Sequence, residues 1–320
     1  MAAKIILDCD PGIDDALAIA FAHGHPGIEL LGITTVAGNV GLAKTTGNAL
    51  TVAEFIGADV PVTAGCATPL IRPALDAQHI HGESGLGGAT LPRPAAVPAA
   101  GHAVDYIIET VRAAVGEITL VAIGPLTNIA LAVRKEPRLT EWVRDFVIMG
   151  GSSGRGNTTP AAEYNVWADP EAAAAVFEAG WRVTMVGLDV TQRSGANPAV
   201  MDRMAGLGPL GTELLLPALN QYQSTTESGG PAVHDVCAVV HVAEPGVFGF
   251  VPARVEVETS GRLTSGMTVT DFEAAHHNTQ VGMTIDATKF WEVTLATYAG
   301  LAGTMPARDG LDGGDARDGR

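Results

Sequence analysis

Basic side chains are scarce in this chain: 19 Lys and Arg face 35 Asp and Glu, a formal net charge of -16. So acidic a surface repels phosphate backbones, which argues against nucleic acid as a partner. Cysteine is scarcer still. Cys9, Cys66 and Cys237 are an odd set without metal-type spacing, so reduced, buried thiols of a cytoplasmic protein are expected. No uninterrupted apolar run approaches the ~20 residues of a membrane span. The N-terminal MAAKIILDCD meets its first acids too early for a signal peptide. Internal repeats and interdomain linkers are also missing. What is present is 320 residues that are 47% hydrophobic, enough for a large core in a single domain.

Apolar strand-like runs alternate with helical patterns from the start. Strands are expected over 4–9, 29–36, 60–64, 118–123, 144–149 and 182–188. Helices are expected over 14–24, 42–57, 102–115, 127–135 and 170–179. Strands apolar on both faces, separated by helices, predict an α/β fold with a mostly parallel, Rossmann-like sheet flanked by helices. Three long polar or Gly-rich segments, 76–88, 150–165 and 224–235, interrupt the pattern, and loops of that length are usually functional. Residues 305–320 have almost nothing apolar and read as a disordered tail behind a catalytic body of 1–304.

The segment KIILDCDPGIDDALAI packs Asp8, Asp10, Asp14 and Asp15 into eight positions. Asp8 and Asp10 share a strand face, Pro11-Gly12 breaks the strand, and Asp14 and Asp15 open the next helix. Two carboxylates ~4 Å apart repel by about 4 kcal/mol at an effective dielectric of 20. A helix dipole offsets at most ~2 kcal/mol of that. A bound cation resolves the conflict, and carboxylates without thiolate or imidazole companions favour Ca²⁺ or Mg²⁺ over zinc.

Other polar residues fall where the same pattern ends a strand. Asn39 lies just past one. Ile123-Gly124-Pro125 turns from a strand into a helix, leaving backbone carbonyls free to face an ion. His234 and Asp235 open a helix closed by Pro245, and His234 is the natural candidate for proton work near neutral pH.

Together these segments resemble the inosine–uridine-preferring nucleoside hydrolase family. DCDPGIDDALAI is followed, in the family's order, by VAGN, GPLTNIALA, GNTTPAAEYNVWADPEAA and GGPAVHD, covering roughly 4 to 290. The run is most similar to bacterial ribonucleoside hydrolases that prefer pyrimidines. The resemblance implies Ca²⁺ held by Asp10, Asp15, the Ile123 carbonyl and Asp235, with Asp10 also the general base toward water. It implies Asp14 and Asn165 on the 2′- and 3′-hydroxyls, Asn157 and Glu163 on the 5′-hydroxyl, and Asn39 beside the water and ribose. His234 would assist base departure, His81 and Tyr222 would lie near the pocket, and Asp8 would support the site from behind. A homodimer or homotetramer acting on a small ribonucleoside is implied as well.

The chemistry suits these residue types. An oxocarbenium-like ribose is stabilised by acidic surroundings, and no phosphate-cradling Lys or Arg accompanies the motif, so nucleosides rather than nucleotides are expected. Trp167 reads as packing; His23, His25, His241, His276 and His277 read as structural or surface. His79 and His81 belong to a loop expected to cover the site. Thr226 stands where many relatives carry a second tyrosine, which leaves base preference open. Two rivals remain. A haloacid-dehalogenase-type phosphatase would use Asp8 as nucleophile with Mg²⁺, but has Thr or Val where Gly12 stands here. The other is a Ca²⁺-dependent nucleoside or sugar binder without catalysis.

Overall fold

The structure, a computed structural model, describes residues 2–222 and 229–305. Nine strands form one sheet in the order β3-β2-β1-β4-β5-β6-β9-β7-β8. They are β1 (Ala3–Cys9), β2 (Ile28–Thr35), β3 (Val62–Ala64), β4 (Ile118–Ala122), β5 (Asp145–Met149), β6 (Val183–Val186), β7 (Phe248–Val257), β8 (Thr268–Asp271) and β9 (Thr279–Ile285). The first six strands and β9 are parallel, whereas β7 runs antiparallel to both β9 and β8. The expected mostly parallel α/β sheet in a single domain is what forms.

Strand β1 shows why both faces are covered. Ile5, Leu7 and Cys9 pack into one hydrophobic cluster and Ile6 into the other, as a period of two requires. Helix α1 (Ile13–Gly24) is rich in Ala and Ile, and every residue from Ile13 to Ala22 is buried. A helix apolar all round is a core helix. It lies against helices His234–Ala243 and Ala287–Thr304, and Pro26 stops its continuation just beyond the His25 cap. Helix α2 (Leu42–Ile56) closes at Gly57, whose φ of 75° is the left-handed turn that glycine adopts without Cβ strain.

This winding places the site. After β1 the chain enters α1 in one layer, and after β4 it enters helix Thr127–Lys135 in the opposite layer. β1 and β4 are hydrogen-bonded neighbours, so a crevice opens at their carboxyl ends. Open α/β sheets bind ligands at that switch point.

The sequence pattern located β1 to β6 to within a few residues but carried no reading of β7, β8 or β9, or of helix Ala287–Thr304. Near the sheet edge β7 alternates buried with exposed residues and contains Pro252, which dilutes the apolar signal of a central strand. Residue 188, expected to end a strand, instead begins the short helix Leu188–Thr191. The segment 76–88 contains a helical turn, Gln78–His81. Most of the proposed tail, 306–320, and Thr226 lie outside the described residues.

Candidate active site

At the end of β1, Asp10 is 1% exposed and its carboxylate is fixed on one side only. Oδ2 accepts the Asn39 backbone N–H at 2.7 Å. Oδ1 is enclosed and has no hydrogen-bond partner. The carboxylate fits between two glycines: a Cβ at Gly38 would come within 2.0 Å of Oδ2, and one at Gly124 within 2.5 Å of Oδ1. Any larger residue at either position would push the acid aside.

Asp15, at the third position of α1, ties the turn together. Its Oδ1 accepts the Asp10 N–H at 3.1 Å, and its Oδ2 accepts the Gly12 N–H at 2.9 Å and Asn39 Nδ2 at 3.0 Å. Carboxyl atoms of Asp14, Asp15 and Asp235 lie within 4.8 Å of one another. Asp235 comes from helix His234–Ala243, which packs against α1.

Clustering and burial act on protonation in one direction. Desolvation, then the neighbouring Asp15, pushes Asp14 up to about 7. Asp10 and Asp235 are driven well above the ordinary carboxylate range by burial and then by nearby acids. Asp15 rises less, because the Gly12 and Asp10 N–H groups favour its anion. Hard oxygen donors, one of them enclosed and unpartnered, are the donor set of a Ca²⁺ or Mg²⁺ site, and the residues fit such an ion. The grouping differs in one respect from the ligand set that the resemblance implies. Asp14 stands among the three converging acids, while the Asp10 carboxylate is turned toward Asn39.

A cavity of about 440 Å³ opens over these acids. Asp14, Asn39, His81, Ile123, Asn157, Glu163, Asn165, Tyr222, His234 and Asp235 all line it, whereas Asp10 and Asp15 sit behind its wall. Asn165 gives its amide hydrogens to the carbonyls of Ile123 at 2.8 Å and Met149 at 3.0 Å, which leaves its Oδ1 to accept. Glu163 is the N-cap of helix Tyr164–Ala168 and accepts the N–H groups of Asn165, Gly151 and Val166. Burial still pushes it up to about 7. Asn157 Oδ1 accepts the Tyr164 N–H at 3.0 Å.

Three histidines, His79, His81 and His234, complete the wall, and the last two are held by hydrogen bonds. His81 Nδ1 accepts the first free N–H of α1, from Ile13, at 3.0 Å. Nδ1 is therefore bare and the ring proton sits on Nε2. Burial and the neighbouring His234 push His81 down to about 3. His234 pairs its Nδ1 with Thr191 Oγ1 at 2.7 Å, and burial lowers it to about 4. Both rings are neutral near pH 7.

Asp8 stands apart from the cavity. It is fully buried, and its Oδ1 accepts Thr34 Oγ1 at 2.6 Å and Asn128 Nδ2 at 2.8 Å. Asp8 lines no part of the cavity and is held by Thr34 and Asn128 behind it, so nothing in the site supports the nucleophile that the phosphatase reading requires. Cys9, Cys66 and Cys237 are free and buried.

Several functional positions escaped the sequence reading. Trp167, read as packing, lines the cavity, and so do Gln192, Tyr164 and Met149. Asp169 joins a loop to two helix starts: its Oδ2 accepts Thr127 Oγ1 at 2.6 Å and the Leu70 N–H at 2.9 Å, and its Oδ1 caps Ala172. Arg72 reinforces that junction with a bidentate pair to Glu171. The ADPEAA stretch carried a visible capping signal, Asp then Pro at the helix start, but nothing that announced its partners.

The chain is similar to known proteins over most of its length. Residues 5–292 match the family model described as inosine-uridine preferring nucleoside hydrolase. The inosine-uridine preferring nucleoside hydrolase of Leishmania major is 48% identical over 300 residues, 91% of this chain and 96% of that protein. The non-specific ribonucleoside hydrolase RihC of Salmonella enteritidis PT4 is 44% identical over 300 residues, 92% of this chain and 98% of its own. Among solved structures, a purine-preferring ribonucleoside hydrolase from Gardnerella vaginalis superposes with a TM-score of 0.88 at 31% identity, covering 93% of this chain and 99% of the other. Among the described residues, no helix is long and apolar enough to cross a membrane.

Proposed function

The chain belongs to the inosine-uridine preferring nucleoside hydrolase family, and on that premise we propose that it hydrolyses the N-glycosidic bond of ribonucleosides to ribose and free nucleobase, with Ca²⁺ at the acidic end of the cavity. The observation that carries this reading is the enclosed, unpartnered Oδ1 of Asp10 beside three converging carboxylates. Asp10, Asp15, the Ile123 carbonyl and Asp235 would hold the ion. When bound, it lowers the pKa of water and offsets the mutual repulsion of the acids.

The remaining roles fall to the chain's own groups. Asp10 is the general base toward the attacking water; because its Oδ1 is enclosed behind the cavity wall, that role requires the carboxylate to turn toward the ion and water when they bind. Asp14 and the Asn165 Oδ1 accept from the 2′- and 3′-hydroxyls, and Asn157 with Glu163 positions the 5′-hydroxyl. Asn39 stays beside the water. These contacts hold the ribose as positive charge grows at its anomeric carbon, and the carboxylates stabilise that charge. His81, Tyr222 and His234 line the side from which the base departs. Residues 1–304 act as one catalytic unit, and the homodimer or homotetramer expected from the resemblance is part of the same proposal.

The base remains open: the related proteins carry names that range from inosine-uridine preferring through non-specific to purine-preferring. A panel of uridine, cytidine, inosine and adenosine, with a deoxyribonucleoside control and a chelator arm, tests the proposal. Release of free base from at least one ribonucleoside is expected, lost on chelation and much weaker with the deoxy substrate. A protein that binds these nucleosides without cleaving any would be a binder instead.

A further inference from the structure

We propose that Thr191 is a positioning residue: its buried hydroxyl donates to His234 Nδ1 and so confines the ring proton to Nε2, the nitrogen that faces the cavity. The inference rests on the reading of His234 as the residue beside the departing base. Thr191 is fully buried, at the end of the helical turn Leu188–Thr191 that follows β6. A threonine hydroxyl has one proton to place. Among the described residues, the only polar atom it pairs with is His234 Nδ1, at 2.7 Å. If Nδ1 carried the ring proton, two donors would meet or the threonine proton would be left buried without an acceptor, both costly arrangements. Donation from Thr191 to a bare Nδ1 satisfies both groups.

The consequence lies across the ring. His234 lines the cavity. Among the described residues its Nε2 has no hydrogen-bond partner and is not an enclosed unpartnered atom, which is what a nitrogen open to the cavity that His234 lines would show. An N–H there can donate to the base atom that gathers the glycosidic electron pair, whereas a bare nitrogen would repel it. Thr191 is itself steadied, since its carbonyl accepts the Ser194 hydroxyl at 2.7 Å.

Nitrogen-15 NMR of histidine-labelled full-length protein with added calcium chloride reads the tautomer directly. The His234 signals are assigned by their loss in His234→Gln. A protonated Nε2 with a bare Nδ1 is expected; a protonated Nδ1 would overturn the proposal. In kinetics, Thr191→Val should lower kcat on the preferred ribonucleoside about tenfold with KM nearly unchanged, while p-nitrophenyl riboside, whose leaving group needs no such donor, stays within about threefold. Thr191→Ser should restore the natural rate. Equal losses on both substrates in Thr191→Val, or no rescue by Ser, would refute the positioning role. Wild-type protein that cleaves no ribonucleoside would sink the nucleoside reading instead, while the NMR result would still decide the tautomer.

Discussion

The acidic end of the cavity and the end where the base is placed are held by different kinds of structure. Asp15 is fixed by backbone N–H groups of the strand–turn–helix itself, and Asp10 by the Asn39 N–H just past β2. Their positions follow from the register of β1 against β2 and β4 and from the start of α1. His81, Gln192 and Tyr222 instead come from a helical turn, a residue just past a short helix and the end of another. On the proposed reading, the chemistry rests on the ends of the long central elements and the selectivity on short helices and the turns beside them. The first can stay constant while the second changes, which agrees with related hydrolases named for different base preferences.

If that division is right, substitutions at the two ends should fail differently. Asp10→Asn should lower kcat about a thousandfold, the scale of a lost general base combined with a weakened ion site, while ribose-type inhibitors still bind. Measured kcat within about tenfold of wild type would remove Asp10 from that role. At the other end, Gln192→Ala should leave the best substrate turning over and shift the ratio of kcat/KM between purine and pyrimidine nucleosides by roughly three- to tenfold. A uniform loss across all four nucleosides would place Gln192 in catalysis and erase the contrast.

The same division explains what could be read from the sequence. Four aspartates in eight residues are dense enough to demand a cation, and the strand-break-helix pattern around them places the carboxyl end of β1. Asn39, the Ile123 turn and His234-Asp235 were legible for the same reason, as polar residues where apolar runs stop. Gln192 was not, because it follows a four-residue helix whose first residue the pattern assigned to β6 and whose remainder it did not read. Trp167 was misjudged because an aromatic two residues after Asn165 gives no sign of which side it presents. Asp169 and Thr191 act through partners 42 or more positions away, Thr127, Leu70 and His234, and such pairings are set by the sheet order rather than by local spacing. Strands β7 to β9, toward one side of the sheet, were lost to their partly exposed pattern.

The claim beneath all of this is that the buried acids are a cation site, and thermal unfolding across pH tests it most directly. Asp14 titrates near 7 when folded, far above the 3.8 of a free carboxyl, through burial and Asp15. The folded chain therefore holds more protons than the unfolded one between these values, so the stability of ion-stripped protein falls as pH rises through that window. If Ca²⁺ binds the ionised acids as proposed, its benefit should grow with pH. A Tm increase of about 5 °C at pH 8, shrinking toward zero at pH 5, is expected for ion present at about a hundred times its Kd. A Tm at pH 8 that does not respond to Ca²⁺ or Mg²⁺ would contradict the account.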